Sequence, residues 1–597
     1  MKTSKLWLGG LMLATAVAGA AGYAYADAKP VEAAASTTAA PTTADPVTPE
    51  RLAKAGANDA SEAGNWLLNN KTYNSNRYST LNEITPDNVS GLKLAFAVPL
   101  GGLEPDSFGV GALEGTVLAK DGFLYATDAW GTPYKIDATS GKAGKILWIG
   151  DTGIDKDPSL GNLLANRGPA LYQNEVITNL INGHVMAFDD ATGQVVWDVH
   201  EASNPGEGFT GPPLVVGDKI IVGQSNGDSA TRGFIAALDA KTGKELWRFY
   251  TVPAPDQPGG DTWKDPNHTA YKTGGGASWA AGAYDPATNT LYYGTGNPVP
   301  MFDPEYRPGR NLYTNSTVAL DADTGKLKWY FQYTPGDYHD YDEIGAQQLV
   351  DVKVNGETRK VLSHFGRNGI FYTIDRTDGE FIQGTPYVNK LNWTKGLDPK
   401  TGLPVEFDPS KDIQTYVTAA KGGEVNNMCP NIQGGINYWP SAVDPTTGIA
   451  YGAGIEGCSN VTPETKPPTV TPGVTFEGGA YANPNGTVGS VFAYDVATGK
   501  QLVKQNLPYP NYSGVSLSPG LLWAGELDGT FAAYDSKTLQ PKWSINMGNS
   551  FLAPPTIFAI NGKEYVAIMG GGTGLADFGY PELKNKPNAN MLYVFSL

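Results

Sequence analysis

A short phrase that recurs along the chain constrains the fold more than any other feature of this sequence. In its clearest copies an apolar residue precedes Asp, a Thr-Gly pair follows, and a Trp comes four residues after the Gly. Copies lie at residues 136–141, 188–193, 238–243, 320–325, 374–379, 494–499 and 534–538, with variants at 285–288 and 444–448. Because Asp and Thr bond the backbone and Gly takes a left-handed conformation, the phrase predicts a tight turn between two strands.

The spacing of the copies predicts the architecture. Periods of roughly 40 to 50 residues, each with four short strands, are typical of propeller blades. The apolar runs are short and are cut by turn residues, which argues against long helices. Counting copies, variants and strands near each terminus, we predict an all-β, eight-bladed β-propeller over residues 51–597. The tryptophans that we expect to pack between neighbouring blades are Trp197, Trp247, Trp329 and Trp543.

The N-terminus has the pattern of a secretory signal peptide. Lys2 and Lys5 precede an apolar stretch that ends near Ala21, and the Ala-Tyr-Ala at 24–26 supplies the small residues of a cleavage site. The competing interpretation is a membrane anchor, but the stretch is short for a membrane span. We therefore expect cleavage of residues 1–26 near Ala26, export to the periplasm, and a mature protein that does not span a membrane. Residues 27–50, rich in Ala, Thr and Pro, are expected to form a flexible leader.

The acidic balance of the chain argues against nucleic-acid binding. The formal charge at pH 7 is −17, whereas a protein that binds phosphate backbones needs a positive surface. The acidity suits a partner with a basic docking face, and solubility accounts for it equally well.

The two cysteines predict a disulfide and exclude a covalent haem. Cys429 and Cys458 stand in a chain that we expect to be exported, so we predict one disulfide, worth on the order of 3 kcal/mol. Neither lies in a C-x-x-C-H string, so a c-type haem is not expected. Any electrons that the chain handles must therefore pass to a separate carrier.

Several polar strings are not required for blade packing and mark a candidate site. They are the segments 227–234, 274–279, 294–298, 334–342 and 366–369. Carboxylate and amide oxygens among them suit a hard cation such as calcium. The chain has no H-E-x-x-H or P-loop string.

In this order and spacing, the strings resemble those of the PQQ-dependent alcohol dehydrogenases, the family of methanol dehydrogenase large subunits and periplasmic ethanol dehydrogenases. The match runs from about Trp66, through Asn76-Arg77-Tyr78-Ser79, to the C-terminus. The resemblance implies an enzyme without a fused cytochrome c domain. Such an enzyme oxidises alcohols by hydride transfer to metal-bound pyrroloquinoline quinone (PQQ) and passes electrons to a separate cytochrome c or similar carrier.

The resemblance also implies roles for individual residues. Asp340 is the implied catalytic base, which takes the alcohol proton as the hydride moves to the quinone. Asp228, Asn297 and Asp340 are the implied metal ligands. Trp279 is the implied floor under the quinone ring, and Arg367 contacts its reactive carbonyl region. The other implied cofactor contacts are Glu114, Arg167, Thr210, Ser225 and Asn437.

Departures from the family pattern bear on the cofactor, the substrate and the metal. Many members carry two adjacent cysteines over the quinone, where this chain has Gly-Asn-Leu-Leu-Ala at 161–165. Asp228 stands where Glu is usual and Tyr512 where a channel Trp is common, so we expect a roomier pocket that admits bulkier or secondary alcohols. Asp342, two residues after Asp340, resembles the mark of lanthanide-dependent members. The sequence therefore does not decide whether the metal ion is calcium or a lanthanide.

Two other functions stay open on the sequence alone. A related quinoprotein that acts on sugars or polyols would share the cofactor and differ in its pocket. PQQ-like propeller repeats also build non-enzymatic scaffolds of outer-membrane assembly, which need the blade phrases only. Because this chain keeps Asp340, Asn297, Arg367 and Trp279, the sequence favours an enzyme.

Overall fold

The computed structural model describes residues 45–597 except 104, 107–108, 158–159, 161–163, 417–424, 465–468, 484–485, 573–579, 581–582 and 584–588. The predicted signal peptide and residues 27–44 of the predicted leader lie outside the described residues. Helix α1 (Pro49–Gly56) follows Thr48, which is its N-cap residue. The Thr48 hydroxyl accepts the backbone N–H of Arg51 at 3.2 Å. Val47 is buried and pairs with Gln173. The leader predicted to reach residue 50 is therefore too long at its C-terminal end.

Eight four-stranded antiparallel sheets form the framework of the described chain, the same number as the predicted blades. Seven are built from strands in chain order, and the eighth joins the two ends of the chain. The strands are β1 with β37–β39 (Lys93–Pro99; Thr556–Ile560, Lys563–Gly570, Met591–Ser596), β5–β8 (Leu118–Lys120, Phe123–Thr127, Pro133–Asp137, Lys145–Ile149), β10–β13 (Ala170–Tyr172, Glu175–Asn179, His184–Asp189, Val195–His200), β14–β17 (Leu214–Val216, Lys219–Gly223, Phe234–Asp239, Glu245–Tyr250), β18–β21 (Ala283–Asp285, Thr290–Gly294, Ser316–Asp321, Leu327–Gln332), β22–β25 (Gln348–Val354, Glu357–Phe365, Ile370–Asp375, Phe381–Pro386), β27, β28, β31 and β32 (Ala442–Asp444, Ile449–Gly457, Thr487–Asp495, Gln501–Leu507), and β33–β36 (Val515–Ser518, Leu521–Gly525, Thr530–Asp535, Pro541–Asn546).

The sheets are arranged around a common axis as a β-propeller, which confirms the predicted fold class. First strands of neighbouring sheets contact each other, as β10 does with β14 and β27 with β33. First strands such as β14 are buried throughout, whereas fourth strands such as β13 expose several residues. The sheet that joins the chain ends pairs β1 with β39, from Lys93 opposite Ser596 to Pro99 opposite Met591.

The recurring phrase forms a tight turn between two strands, as predicted. The structure shows that these are the third and fourth strands of a sheet. Between β16 and β17, the Asp239 carboxylate accepts the backbone N–H of Thr242 at 3.0 Å and its hydroxyl at 2.7 Å. Gly243 follows with a φ of 70°, which an L side chain adopts only at a cost. The phrase therefore encodes its turn by local contacts alone.

The tryptophans after the phrase pack between neighbouring blades, which confirms their predicted role. The Trp197 ring of the preceding sheet packs closely on Gly243. A Cβ added at this glycine would lie only 2.8 Å from the ring. The indole N–H of Trp543 in β36 donates to the Leu92 carbonyl, next to β1 of the following sheet, at 3.2 Å. The same packing against a turn glycine is made by Trp247 and Trp329.

The order of the strands determines at which end of the propeller each connection lies. In a four-stranded antiparallel sheet, the turn between strands one and two and the turn between strands three and four lie at the same end. The turn between strands two and three lies at the opposite end, together with the connection to the next sheet. We call these ends the turn face and the connection face. The recurring phrase lies on the turn face.

A three-stranded antiparallel sheet is inserted among the connections. It consists of β26 (Val425–Met428), β29 (Ser459–Pro463) and β30 (Gly479–Ala482). Cys429 follows β26, Cys458 precedes β29, and a disulfide joins them, as predicted. We call these three strands and the described residues 469–478 the cap. The cap arises from the connections on either side of β27 and β28, so it belongs to the connection face.

The other regular elements are short. They are the pair β2 and β3 (Pro105–Asp106, Gly109–Val110), the parallel pair β4 and β9 (Ala112–Leu113, Ala165–Asn166), and 3-10 helices at Ala60–Glu62, Val89–Gly91, Gly227–Ser229, Gly260–Thr262 and Ala270–Thr273. Within the described ranges, no helix has the length and apolar character needed to cross a membrane.

Candidate functional site

A cavity of about 330 Å³ opens on the connection face and gathers most of the predicted site residues. Its lining includes Arg167, Thr210, Ser225, Asp228, Trp279, Asn297, Asp340, Asp342, Arg367 and Asn437. Each of these residues lies either in a turn between strands two and three of a sheet or in a connection between sheets. Because both kinds of connection end on the same face, residues far apart in the chain meet in one place.

Arg367 joins two of the predicted acidic residues. Its Nη2 donates to the Asp340 carboxylate at 2.7 Å, and its Nη1 donates to the Asp342 carboxylate. The same guanidinium donates from Nε and Nη2 to the Ile432 carbonyl, at 3.1 and 2.7 Å. These bonds hold Arg367 in one orientation, so it positions the predicted base and the additional carboxylate together.

Three carboxylates share this one guanidinium. Burial, with the nearby Asp342 carboxylate, raises the pKa of Asp228 to about 7. Burial also raises the pKa of Asp340 well above its ordinary value, although the Arg367 charge opposes the shift. The pKa of Asp342 is raised for the same reason. When all three are ionised the cluster has two uncompensated negative charges, and a bound cation would offset the cost of burying them.

The backbone at Asp340 is held in an unusual conformation. Its φ is 65°, in the left-handed region that few residues other than glycine adopt. The buried Asp337 carboxylate supports this turn by accepting the backbone N–H groups of His339 at 3.1 Å and of Tyr341 at 2.9 Å. Such strain is typical of functional positions, where the surrounding structure maintains it.

The predicted metal ligands lie together, with Asn297 linking them. The Asn297 backbone N–H donates to Asp342 at 2.7 Å, and its side-chain amide lies 3.4 Å from Asp228. Among the described residues, no group of three or more Asp, Glu, His or Cys side chains has the arrangement of a formed metal site, and Arg367 holds two of these carboxylates. The oxygen ligands and the excess negative charge nevertheless fit a hard cation.

Arg167 lies between two aromatic rings at another part of the cavity wall. Its guanidinium carbon is 4.6 Å from the Trp279 ring centre and 4.8 Å from that of Tyr438. Nη2 pairs with Glu114 at 2.7 Å and Nη1 donates to Thr210 at 2.5 Å. Nε is buried and has no hydrogen-bond partner in the part of the chain that the structure describes. A flat group that bears carboxylates fits this site, because it can stack on Trp279 and bond to Arg167.

The remaining predicted contacts differ in how they reach the cavity. The hydroxyls of Thr210 and Ser225 lie 3.0 Å apart, and the Asn437 amide donates to the Gln433 carbonyl at 3.1 Å. Glu114 is absent from the cavity lining and touches the site through Arg167. In the segment 161–165, which replaces the adjacent cysteines of the family, residues 161–163 lie outside the described residues, and Leu164 and Ala165 are buried.

The placement of Tyr512 in the substrate channel is wrong. Its side chain is 1% exposed and does not line the cavity. The Tyr512 hydroxyl instead donates to the side-chain oxygen of Gln433 at 2.8 Å, and Gln433 lines the cavity. Tyr512 therefore supports the wall from behind and does not set the width of the channel.

Eight other cavity residues lie outside the strings and positions predicted from the sequence. They are Asn226, Met301, Ile432, Gln433, Tyr438, Thr475, Glu477 and Tyr481. Most lie in or next to the cap, which does not repeat the blade phrase and so has no periodic signal. The cysteine pair, which lies between β26 and β29 in the chain, is the one feature of the sequence that could have drawn attention to the cap.

Comparison with known proteins identifies the family of the chain. The family profile described as "Glucose/ethanol/alcohol dehydrogenase, beta-propeller domain" matches residues 66–387. The quinohemoprotein alcohol dehydrogenase ADH-IIG of Pseudomonas putida is 32% identical, over 86% of this chain and 73% of its own length. The lanthanide-dependent methanol dehydrogenase of Methylacidiphilum fumariolicum is 32% identical, over 90% of this chain and 90% of its own.

Solved structures show the same relationship. A europium-containing methanol dehydrogenase is similar with a TM-score of 0.81 at 30% identity, covering 92% of this chain and 100% of that one. The matched profile and these relatives are alcohol dehydrogenases, which are oxidoreductases. The chain belongs to the family of PQQ-dependent alcohol dehydrogenases.

Proposed function

We propose that the cavity on the connection face binds PQQ with a metal ion and oxidises primary and secondary alcohols to aldehydes and ketones. The observation that carries this proposal is the meeting of two arrangements in one cavity: Asp340 held by Arg367, and Arg167 beside Trp279. When bound, PQQ and its metal ion supply the electrophile that accepts the hydride from the alcohol carbon.

Asp340 is the base in this proposal. Its ionised carboxylate accepts the hydroxyl proton of the alcohol, a contribution of roughly 10²- to 10⁴-fold to the rate. Burial raises the pKa of Asp340, while the Arg367 guanidinium at 2.7 Å favours the ionised form. Arg367 thereby orients the carboxylate and keeps it able to accept a proton.

Four residues are proposed to hold the metal ion: Asp228, Asn297, Asp340 and Asp342. Their oxygens suit calcium or a lanthanide ion. The third carboxylate, Asp342, favours the higher charge, and one of the relatives is a lanthanide-dependent methanol dehydrogenase. The cofactor itself is proposed to lie on Trp279, with its carboxylates bonded by Arg167 and with Thr210, Ser225 and Asn437 at its edge.

The electron carrier and the cellular location are proposed from the sequence. Both cysteines form one disulfide, so no pair is left to attach a haem, and we propose a separate cytochrome c or similar acceptor. The signal sequence expected at residues 1–26 places the enzyme in the periplasm. Residues 51–597 are proposed to form a single PQQ-binding propeller domain.

Reconstitution tests this function directly. Purified protein is loaded with PQQ and either Ca²⁺ or La³⁺, and oxidation of a panel of alcohols and aldoses is followed with an artificial electron acceptor. We expect alcohol oxidation that requires PQQ and one of the two ions. Failure to bind PQQ, seen as no quinone absorption in the protein fraction after gel filtration, would overturn the proposal. Oxidation of aldoses in preference to alcohols would reassign the substrate.

A further inference from the structure

The cap contributes a carboxylate and an aromatic ring to the cavity. Glu477, in the described segment before β30, and Tyr481, within β30, line the cavity beside Met301. Both side chains are partly exposed to it. Neither is needed for the blade repeat, and neither has a place in the reaction proposed above.

The segment around Glu477 is fixed against the rest of the site. The Phe476 N–H donates to the Asp228 carbonyl at 2.7 Å, and the Phe302 N–H donates to the Glu477 carbonyl at 2.8 Å. The disulfide closes the opposite end of the cap. Because the backbone is bonded on both sides of the carboxylate, Glu477 is a built part of the cavity wall and not the tip of a free loop.

Glu477 has no basic partner among the described residues. The two guanidinium groups that line the cavity are already engaged, Arg167 by Glu114 at 2.7 Å and Arg367 by Asp340 at 2.7 Å. Burial and the nearby Glu464 carboxylate raise the pKa of Glu477, and no cation among the described residues opposes them. Within the described part of the chain, the wall therefore presents an acidic group without a counter-charge.

The Tyr481 ring lines the same cavity as this carboxylate. After burial, the Glu477 charge is the largest influence that raises the pKa of Tyr481, to about 12. Phe302 packs against the ring at 6.3 Å between centroids and steadies it. A carboxylate next to an aromatic ring attracts ammonium groups, and quaternary ammonium most of all, by charge and by the cation–π interaction. The polarizable thioether of Met301 adds to such a surface.

Resting on the function proposed above, we propose that Glu477 and Tyr481 make this enzyme prefer alcohols that carry an ammonium group, such as amino alcohols and their quaternary forms. A hydroxy acid is disfavoured, because its carboxylate faces Glu477. Neutral alcohols enter the same cavity without the added attraction.

A matched pair of substrates isolates the charge. Choline and 3,3-dimethylbutan-1-ol have nearly the same shape, with a nitrogen in one and a carbon in the other. We expect kcat/KM for choline to exceed that for the neutral alcohol by about tenfold in the loaded enzyme. Glu477→Gln keeps the shape of the side chain and should abolish this preference, leaving the neutral alcohol within about twofold. Tyr481→Leu should reduce the preference in part.

Glu464→Gln is the control, since it removes an acidic charge from the exposed surface beside the cap without touching the cavity. It should change the preference by less than about twofold. Equal rates for both alcohols in the unmodified enzyme, or a preference that survives Glu477→Gln, would overturn the inference while the proposed function stands. A Glu477→Gln enzyme that needs more metal but selects substrates as before would also overturn it, by assigning Glu477 to the ion.

A binding measurement separates this inference from the proposed function. Tetramethylammonium cannot be oxidised, so its binding to the PQQ- and metal-loaded protein can be followed by calorimetry whether or not any alcohol reacts. We expect binding that Glu477→Gln weakens about tenfold. If neither alcohol is oxidised, the proposed function fails, and tetramethylammonium binding still decides the inference: weakening by the substitution supports it, and absence of binding overturns it.

Discussion

The two faces of the propeller use aspartate in opposite ways. On the turn face, Asp239 is partly exposed, and its bonds to the Thr242 hydroxyl and backbone hold its pKa below the ordinary value. On the connection face, burial raises the pKa of Asp340 well above that value. The turn carboxylate stabilises the fold in its charged form, whereas folding penalises the charged form in the cavity.

Burial by itself does not explain the difference. Asp190 is also buried, yet Lys120 at 2.7 Å and Lys135 at 2.9 Å pair with it, and they lower its pKa although burial opposes them. The chain can therefore neutralise a buried carboxylate when its role is structural. Leaving three cavity carboxylates with one guanidinium marks that cluster as a site that receives another charge.

Asp340→Asn should have the largest effect and should affect the connection face alone. The amide cannot accept the alcohol proton, so we expect kcat/KM of the loaded enzyme to fall roughly 10³-fold. Asp239→Asn on the turn face is the matched control and should leave kcat/KM within about twofold. PQQ loading, followed by absorbance, separates loss of the base from loss of the cofactor. A fully loaded Asp340→Asn enzyme that keeps more than a tenth of the activity would remove Asp340 from the role of base.

Removal of the disulfide should destabilise the cap and spare the turn face. With Cys429 and Cys458 both replaced by Ser, we expect the free energy of unfolding to fall by about 3 kcal/mol. Amide hydrogen exchange should accelerate in β26, β29 and β30, and the turn at Asp239 should keep its protection. Equal acceleration on both faces would show that the disulfide supports the propeller as a whole.

The two faces also differ in how far the sequence predicts them. The turn phrase was predictable because its contacts lie within four residues, as between Asp239 and Thr242. The cavity depends on contacts between distant segments. Without the family resemblance, nothing in the sequence pairs Arg367 with both Asp340 and Asp342, or places Arg167 between Trp279 and another ring. Tyr512 was misplaced because resemblance gives a position in the chain but not which side chain faces the cavity.

Asp342→Asn should change the choice of metal. A trivalent ion gains more than a divalent one from a third carboxylate, so we expect the affinity for La³⁺ to fall by about 10- to 100-fold and the affinity for Ca²⁺ to fall less. Titration of each ion into the PQQ-loaded protein, read as activity and as luminescence of bound Eu³⁺, measures both. The Asp239→Asn protein should bind both ions as the unmodified enzyme does. Equal losses for the two ions would mean that Asp342 acts through Arg367 and not through the metal.

Asp239→Ala should have the smallest effect and should depend on pH. Removing the bonds to Thr242 from a partly solvated turn should lower the free energy of unfolding by about 0.5 to 1 kcal/mol at pH 7. Because folding lowers the pKa of Asp239, this stabilisation is present above the unfolded pKa of about 3.9 and is lost as the pH falls through the folded pKa. Urea unfolding of both proteins at pH 7, 5 and 3 should therefore show the difference shrinking toward acid.

If the difference between the Asp239→Ala protein and the unmodified enzyme persisted at pH 3, the turn would be stabilised by its shape and not by the charge of Asp239. Only the cavity, where one guanidinium faces three carboxylates, would then show an effect of aspartate charge on stability. If the difference disappears, the charged form of aspartate stabilises the turn face. On the connection face the charged form becomes favourable only when a cation binds. Aspartate then stabilises the fold on the turn face and binds a ligand on the connection face. The direction of the strands determines on which face each aspartate lies.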